Sequence, residues 1–300
     1  MTPAIPSYTG LSQLADRYDG FILDLWGVVH DGIAPYPGVP ECLKTMRAQG
    51  KRVCLLSNAP RRVDAAAARL TEMGLTPDHY DALLTSGEAT HDALRDPPDA
   101  WHRALGPKLL HIGPDRDAGV YLDLADQGRG TRVKVDRPED ADFVLNTGIV
   151  DFSESLADYE PILAACAALK LPMVCANPDL VVHVGPQLVI CAGELARRYE
   201  ELGGDVRQHG KPYPGVYARC FDLLGGMAPD RILAVGDSLR TDMAGANAAG
   251  IDGLLIAGGI HREELGVADP LTDLPDVDRL AAIAAQAGLR ISAVMNRLGW

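Results

Sequence analysis

The chain has 300 residues, 47% of them hydrophobic and 23% charged, enough for one large or two ordinary globular domains with buried cores. Its formal net charge of −13 argues against a nucleic-acid partner and against an anionic membrane surface, because both recruit basic proteins. The N-terminal segment lacks the basic and apolar stretches of a secretory signal, and no apolar run reaches bilayer-spanning length, so a cytoplasmic protein is expected.

Short apolar runs alternate with amphipathic stretches along the chain, the pattern of a parallel sheet covered by helices. Residues 20–24 read as a buried strand ending in Asp24, 40–49 as a helix closed by Gly50, 51–57 as the next strand, and 60–73 as a helix stopped by Gly74. A strand over 82–85 follows, and the proline-bearing stretch 96–106 reads as a surface connection. The alternation then restarts, with strands expected at 108–112, 131–135, 143–146 and 173–176 and helices at 116–127, 156–169 and 193–202. A third block reads as strand 206–209, helix 215–224, strand 231–236, helix 241–249 and strand 253–256. The six cysteines are scattered and form no CxxC pair, so buried reduced thiols are expected. The C-terminal RISAVMNRLGW packs on the core or at a subunit contact, which allows a homodimer.

Four local signals carry polar groups at strand ends, where open α/β sheets form their sites. They are FILDLWGVVHDG with Asp24, CLLSNAPRR with Ser57 and Asn58, HGKPYPGVY with Lys211, and ILAVGDSLRTDMAGANAAG with Asp237 and Asp242. Alone, any of these aspartates could simply cap the helix that follows. Together they offer carboxylates, a hydroxyl and an ammonium. Several carboxylates at one site need a cation, and hard oxygen ligands suit Mg²⁺. An ammonium and a hydroxyl beside that cation make a trap for phosphate oxygens.

In this order the four motifs resemble those of the haloacid dehalogenase-like (HAD) hydrolases, and the long insertion between the second and third resembles subclass IIA, the NagD-like and pyridoxal-phosphate-phosphatase-like enzymes. DLWGVVHDGIAPYPG keeps that group's glycine and Pro-Gly spacing, ANPD at 176–179 resembles a stretch of its cap, and AGGIH at 257–261 its last core loop. The resemblance implies an α/β fold: a Rossmann-like parallel-sheet core over residues 1–85 and 206–300, with an inserted α/β cap domain over 86–205. It implies that Asp24 is the nucleophile and a Mg²⁺ ligand, that Trp26 offers its backbone carbonyl to the metal, and that Asp237 is a direct ligand. Asp242 would bind the metal through water or orient Lys211, while Ser57 and Lys211 hold the phosphoryl group. Asn58, Asn177 and Asp179 are the candidate substrate-binding groups, although 177–179 also reads as a plain strand-to-turn connection.

The implied reaction is transfer of a phosphoryl group from a small phosphorylated metabolite to Asp24 and then to water, the work of a Mg²⁺-dependent phosphatase or phosphotransferase. One position departs from the pattern. Phosphatases of the family carry a second aspartate two residues after the nucleophile as general acid and base, and this chain has Trp26 there, whose indole cannot do that work. His30 and Asp31 on the same loop are the local substitutes, unless His30 merely packs and Asp31 caps a turn. Otherwise the substrate has a good leaving group, or the protein binds a phosphorylated ligand and turns it over weakly. Dehalogenation by Asp24 is a further alternative, one with no use for the acids of GDSLRTD. Arg61 and Arg62 either attract an anionic substrate or stand as solvated charges at a helix start.

Overall fold

A computed structural model, describing residues 5–122, 124, 132–184 and 187–300, contains two parallel sheets and a hairpin. In chain order the strands are β1 (Gly20–Asp24), β2 (Arg52–Ser57), β3 (Ala82–Thr85), β4 (Lys108–Ile112), β5 (Val133–Val135), β6 (Phe143–Asn146) and β7 (Met173–Cys175). They continue as β8 (Val181–Val184), β9 (Gln187–Ile190), β10 (Val206–Gln208), β11 (Ile232–Gly236), β12 (Asp252–Ile256) and β13 (Ala293–Met295).

The first sheet has the order β13-β12-β11-β1-β2-β3, with every neighbouring pair parallel. All five residues of β1 are buried, as expected for a strand covered on both faces. Phe21, Leu23, Val53, Leu55, Leu233 and Val235 pack on one face, Ile22, Cys54, Leu56 and Ala234 on the other. The helix Val39–Ala48 closes the first face with Val39, Cys42, Leu43 and Met46, a spacing that puts four apolar side chains on one stripe. From β1 the chain runs outward through β2 and β3, and later from β11 outward the other way through β12 and β13. The crevice between β1 and β11 is therefore the switch point of a doubly wound sheet.

The second sheet, β10-β7-β6-β4-β5, is also parallel throughout. The helices Leu156–Ala168 and Ala192–Glu201 cover one face, while Leu94, Leu105, Val120 and Tyr121 pack on the other. The strand expected at 206–209 as the start of the third block belongs here: Val206–Gln208 pairs with Met173–Cys175. Only after Gln208 does the chain return to the first sheet, which corrects the expected start of the second core segment at 206.

Other expectations shift as well. The connection 96–106 holds a short helix, Ala100–Arg103, because Asp99 caps it by accepting from His102 N at 2.9 Å. The helix expected at 116–127 is a 3₁₀ stretch over Asp115–Val120; residues 123 and 125–131, including the first position of the strand expected at 131–135, lie outside the described residues. The helix expected at 60–73 starts at Val63, since Arg62 is extended and the Glu88 carboxylate accepts from both Arg62 Nε (2.7 Å) and Val63 N (3.0 Å). Arg62 is thus ion-paired with Glu88. The segment 241–249 opens with one π-helical turn, Leu239–Met243, before the α-helix Ala244–Ala248. All six cysteines are buried and free. Among the described residues no helix is long and apolar enough to cross a membrane.

Candidate active site

The register of the first sheet sets the site. Leu23 is level with Leu55 on one side and Val235 on the other, so Asp24 is the last residue of the central strand. Ser57 and Asp237 lie one residue further along the flanking strands, with strand spacing of about 4.8 Å. Asp24, Asp237 and Asp242 are all buried, and one carboxylate oxygen from each falls within 4.8 Å of the others.

Lys211 reaches this group from the loop after β10. Its ammonium donates to Asp24 Oδ1 and, at 2.8 Å, to Asp242 Oδ1. The second oxygen of Asp242 accepts from Ser238 N at 3.1 Å, which ties it to the π-helical turn that carries it. Two glycines make room for Asp237: a Cβ at Gly27, whose φ is +80°, or at Gly259 would overlap its carboxylate, and Ile260 N donates to its Oδ2 at 2.9 Å.

The charges do not balance. Burial pushes the Asp24 carboxyl well up, with Asp242 and Asp237 adding to the shift and Lys211 opposing it. Burial, followed by the Asp242 carboxylate, pushes Asp237 up to about 7. Burial disfavours the Lys211 ammonium, but the Asp24 and Asp242 carboxylates outweigh it and hold Lys211 well above its usual range. Were all three acids ionised, they would exceed the one ammonium by two charges that water cannot screen there, which is why Asp24 and Asp237 are pushed up. The hard oxygens and the deficit both fit one divalent cation.

Asn58 binds the surroundings together. Its side-chain oxygen accepts from Lys211 N at 2.8 Å and Ser86 Oγ at 3.0 Å, while its Nδ2 donates to Lys211 O at 3.2 Å and Asp179 Oδ1 at 2.9 Å. Ser57 Oγ accepts from Ala59 N at 3.1 Å. Asn177 Oδ1 accepts from Asp179 N at 2.9 Å, shaping the turn that brings Asp179 from the second sheet to the first. The structure thus brings Asp24, Asp237, Asp242 and Lys211 into one cluster, with Asn58 and Asp179 hydrogen-bonded beside it and Ser57 at the neighbouring strand end. Asn177 shapes the turn.

The tryptophan loop is folded on itself. The rings of Trp26 and His30 meet edge to face with centroids 5.4 Å apart. His30 Nδ1 accepts from Gly32 N at 3.0 Å, and burial pushes the imidazole down to about 4. Asp31 Oδ1 accepts from Ile33 N (2.8 Å) and Ala34 N (2.9 Å). Both residues are engaged in making a turn, the plainer of the two sequence readings. Arg61, on the loop after Ser57, has its Nε 3.5 Å from Asp117 Oδ1 of the second unit, a contact with no separate sequence signal.

A buried acidic pocket at the switch point of a parallel α/β sheet is the architecture of an α/β enzyme. Residues 21–122 match the family model described as haloacid dehalogenase-like hydrolase, and residues 208–290 a second HAD-hydrolase-like model. A haloacid dehalogenase-like hydrolase of Brucella suis has a crystal structure 32% identical in sequence, covering 97% of this chain and 99% of its own, with a TM-score of 0.80. D-glycerol 3-phosphate phosphatase of Mycobacterium tuberculosis is 27% identical over 94% of this chain and 78% of its own length. A glycerol phosphate phosphatase from that organism, in complex with magnesium, is 26% identical over 89% of this chain and 77% of its own, with a TM-score of 0.63. The chain belongs to the haloacid dehalogenase-like hydrolase family.

Proposed function

We propose that the protein is a Mg²⁺-dependent phosphatase or phosphotransferase acting on a small phosphorylated metabolite, with Asp24 as the nucleophile. The observation that carries this reading is the convergence of Asp24, Asp237, Asp242 and Lys211 in one buried cluster that sets three acids against a single ammonium. Relatives named as phosphatases, one crystallised with magnesium, support it. Asp24, Asp237, Asp242 and the backbone carbonyl of Trp26 would hold Mg²⁺, which would neutralise charge on the phosphoryl oxygens.

The chain's own groups do the rest. Asp24 attacks phosphorus in line with the leaving oxygen, forming an aspartyl phosphate that water then opens. Lys211, kept protonated by its two carboxylates, and Ser57 hold the phosphoryl group. Asn58 fixes the Lys211 loop from both its backbone N–H and its carbonyl, so the ammonium needs no reorganisation during transfer. The second sheet acts as a cap over the cleft, presenting Asp179 and the Asn177 turn toward the substrate. Sugar phosphates, glycolate or glycerol phosphates and pyridoxal phosphate are the candidate substrates; D-glycerol 3-phosphate phosphatase among the relatives makes glycerol phosphate the first to try.

The test is phosphate release across a panel of phosphorylated metabolites and an aryl phosphate, with Mg²⁺ and with EDTA, using Asp24→Asn as the blank. Release that requires both Mg²⁺ and Asp24 is expected. Release that persists in Asp24→Asn would overturn the assignment. Trp26 favours one second reading, a phospholigand-binding protein with slow turnover, whose signature is Mg²⁺-dependent binding of a panel member without release.

A further inference from the structure

Position 26 cannot supply a proton, and the groups around it have other engagements. His30 and Asp31 shape their own turn. Tyr36 is held protonated, pushed up to about 12 by burial and the Asp237 charge, and gives up its proton reluctantly near neutral pH. His261 Nε2 accepts from Leu239 N at 3.2 Å and its Nδ1 faces Glu264 at 2.9 Å, while His209 Nε2 faces His102 Nε2 at 3.1 Å.

Asp179 differs. Its backbone is fixed on both sides, by Asn177 Oδ1 on its N–H and by Gly193 N on its carbonyl at 3.0 Å. One carboxyl oxygen takes the Asn58 amide, and among the described residues the other oxygen accepts no hydrogen bond. Asn58 directly follows Ser57 and carries the Lys211 loop, so the Asp179 carboxyl, brought in from the second sheet, sits beside the residues that would hold the phosphoryl group. It is half-buried and feels the Lys211 and Asp242 charges.

We propose that Asp179 is the leaving-group acid, delivering from the inserted unit the proton that Trp26 cannot. As the Asp24 oxygen–phosphorus bond forms and the ester P–O bond breaks, the Asp179 proton passes to the departing alkoxide oxygen. The resulting carboxylate then takes a proton from the water that attacks the aspartyl phosphate, releasing inorganic phosphate and restoring the Asp24 carboxylate and the Asp179 acid. Burial raises the Asp179 carboxyl above its ordinary value against the pull of Lys211 and Asn58, the direction a general acid needs.

This rests on the proposed function and is tested by leaving-group dependence, read as kcat/KM because that ratio ends at leaving-group departure. Asp179→Asn should lose about 10²–10⁴-fold more on glycerol phosphate, whose alkoxide needs a proton, than on 4-nitrophenyl phosphate, whose phenolate does not. An equal loss on both substrates, or none on either, overturns the assignment. A second measurement uses wild-type protein alone: kcat/KM on glycerol phosphate should fall at high pH relative to the aryl substrate, and parallel profiles would also overturn it. If wild type releases no phosphate from the aryl ester, or Asp24→Asn still does, the proposed function fails instead.

Discussion

Asp237→Asn separates charge from shape in the pocket. In metal-free protein, burial and the Asp242 carboxylate raise Asp237 from 3.8 to about 7. A carboxyl raised in this way holds its proton more tightly folded than unfolded. Its effect on stability is therefore neutral below about pH 4, grows unfavourable as the pH climbs, and is complete above about pH 7. The span between the two values corresponds to roughly 4 kcal/mol, a ceiling because neighbouring carboxylates titrate with it. Asparagine keeps the volume between Gly27 and Gly259 and can still accept from Ile260 N. In EDTA at pH 8 the variant should therefore be more stable than wild type, with a melting temperature higher by about 5–15 °C, and the gap should shrink toward pH 5. Added Mg²⁺ should narrow the gap. Wild type gains about 2.7 kcal/mol at a hundredfold excess over Kd, whereas the variant gains little and is inactive. Thermal melts at the two pH values with EDTA or Mg²⁺ make the measurement. A variant that melts below wild type in EDTA at pH 8, or that keeps the full Mg²⁺ gain, would refute the charge argument.

Gly259→Ala places a methyl against the Asp237 carboxylate and should lower apparent Mg²⁺ affinity about 10–100-fold in an activity titration, while an unchanged titration would show that Asp237 can move freely. Asp117 is buried, and burial pushes its carboxyl up to about 6 against Arg61 and Arg116. By the same sign argument it weakens the fold as pH rises from about 4 to 6, so Asp117→Asn should be more stable by up to about 3 kcal/mol in urea denaturation at pH 8 and should lose that advantage by pH 4. Equal stability of variant and wild type at pH 8 would mean that Arg61 already compensates the charge.

The sequence by itself determined the chemistry at the strand ends. GFILD, RVCLLS and ILAVG are apolar runs bounded by turn residues, and burying them in a covered parallel sheet leaves Asp24, Ser57 and Asp237 at the carboxyl edge. What it could not determine are pairings between distant segments, because hydrophobic periodicity carries no information about which strand lies beside which. The three residues of β10 look alike in either sheet, and only their fit beside β7 decides. The last edge of the first sheet went unread for the same reason: Ala293–Met295 is too short to stand out and is defined by β12 alongside it. Likewise, Asp179 lies 121 residues from Asn58 in sequence, and nothing local to either residue announces their hydrogen bond. The roles of His30 and Asp31 were open until the backbone of their turn claimed both side chains. Identity and order of the polar groups are thus local properties of this chain, whereas the buried acid cluster arises only when the strands of the first sheet pair, and the Asn58–Asp179 contact only when the two sheets meet.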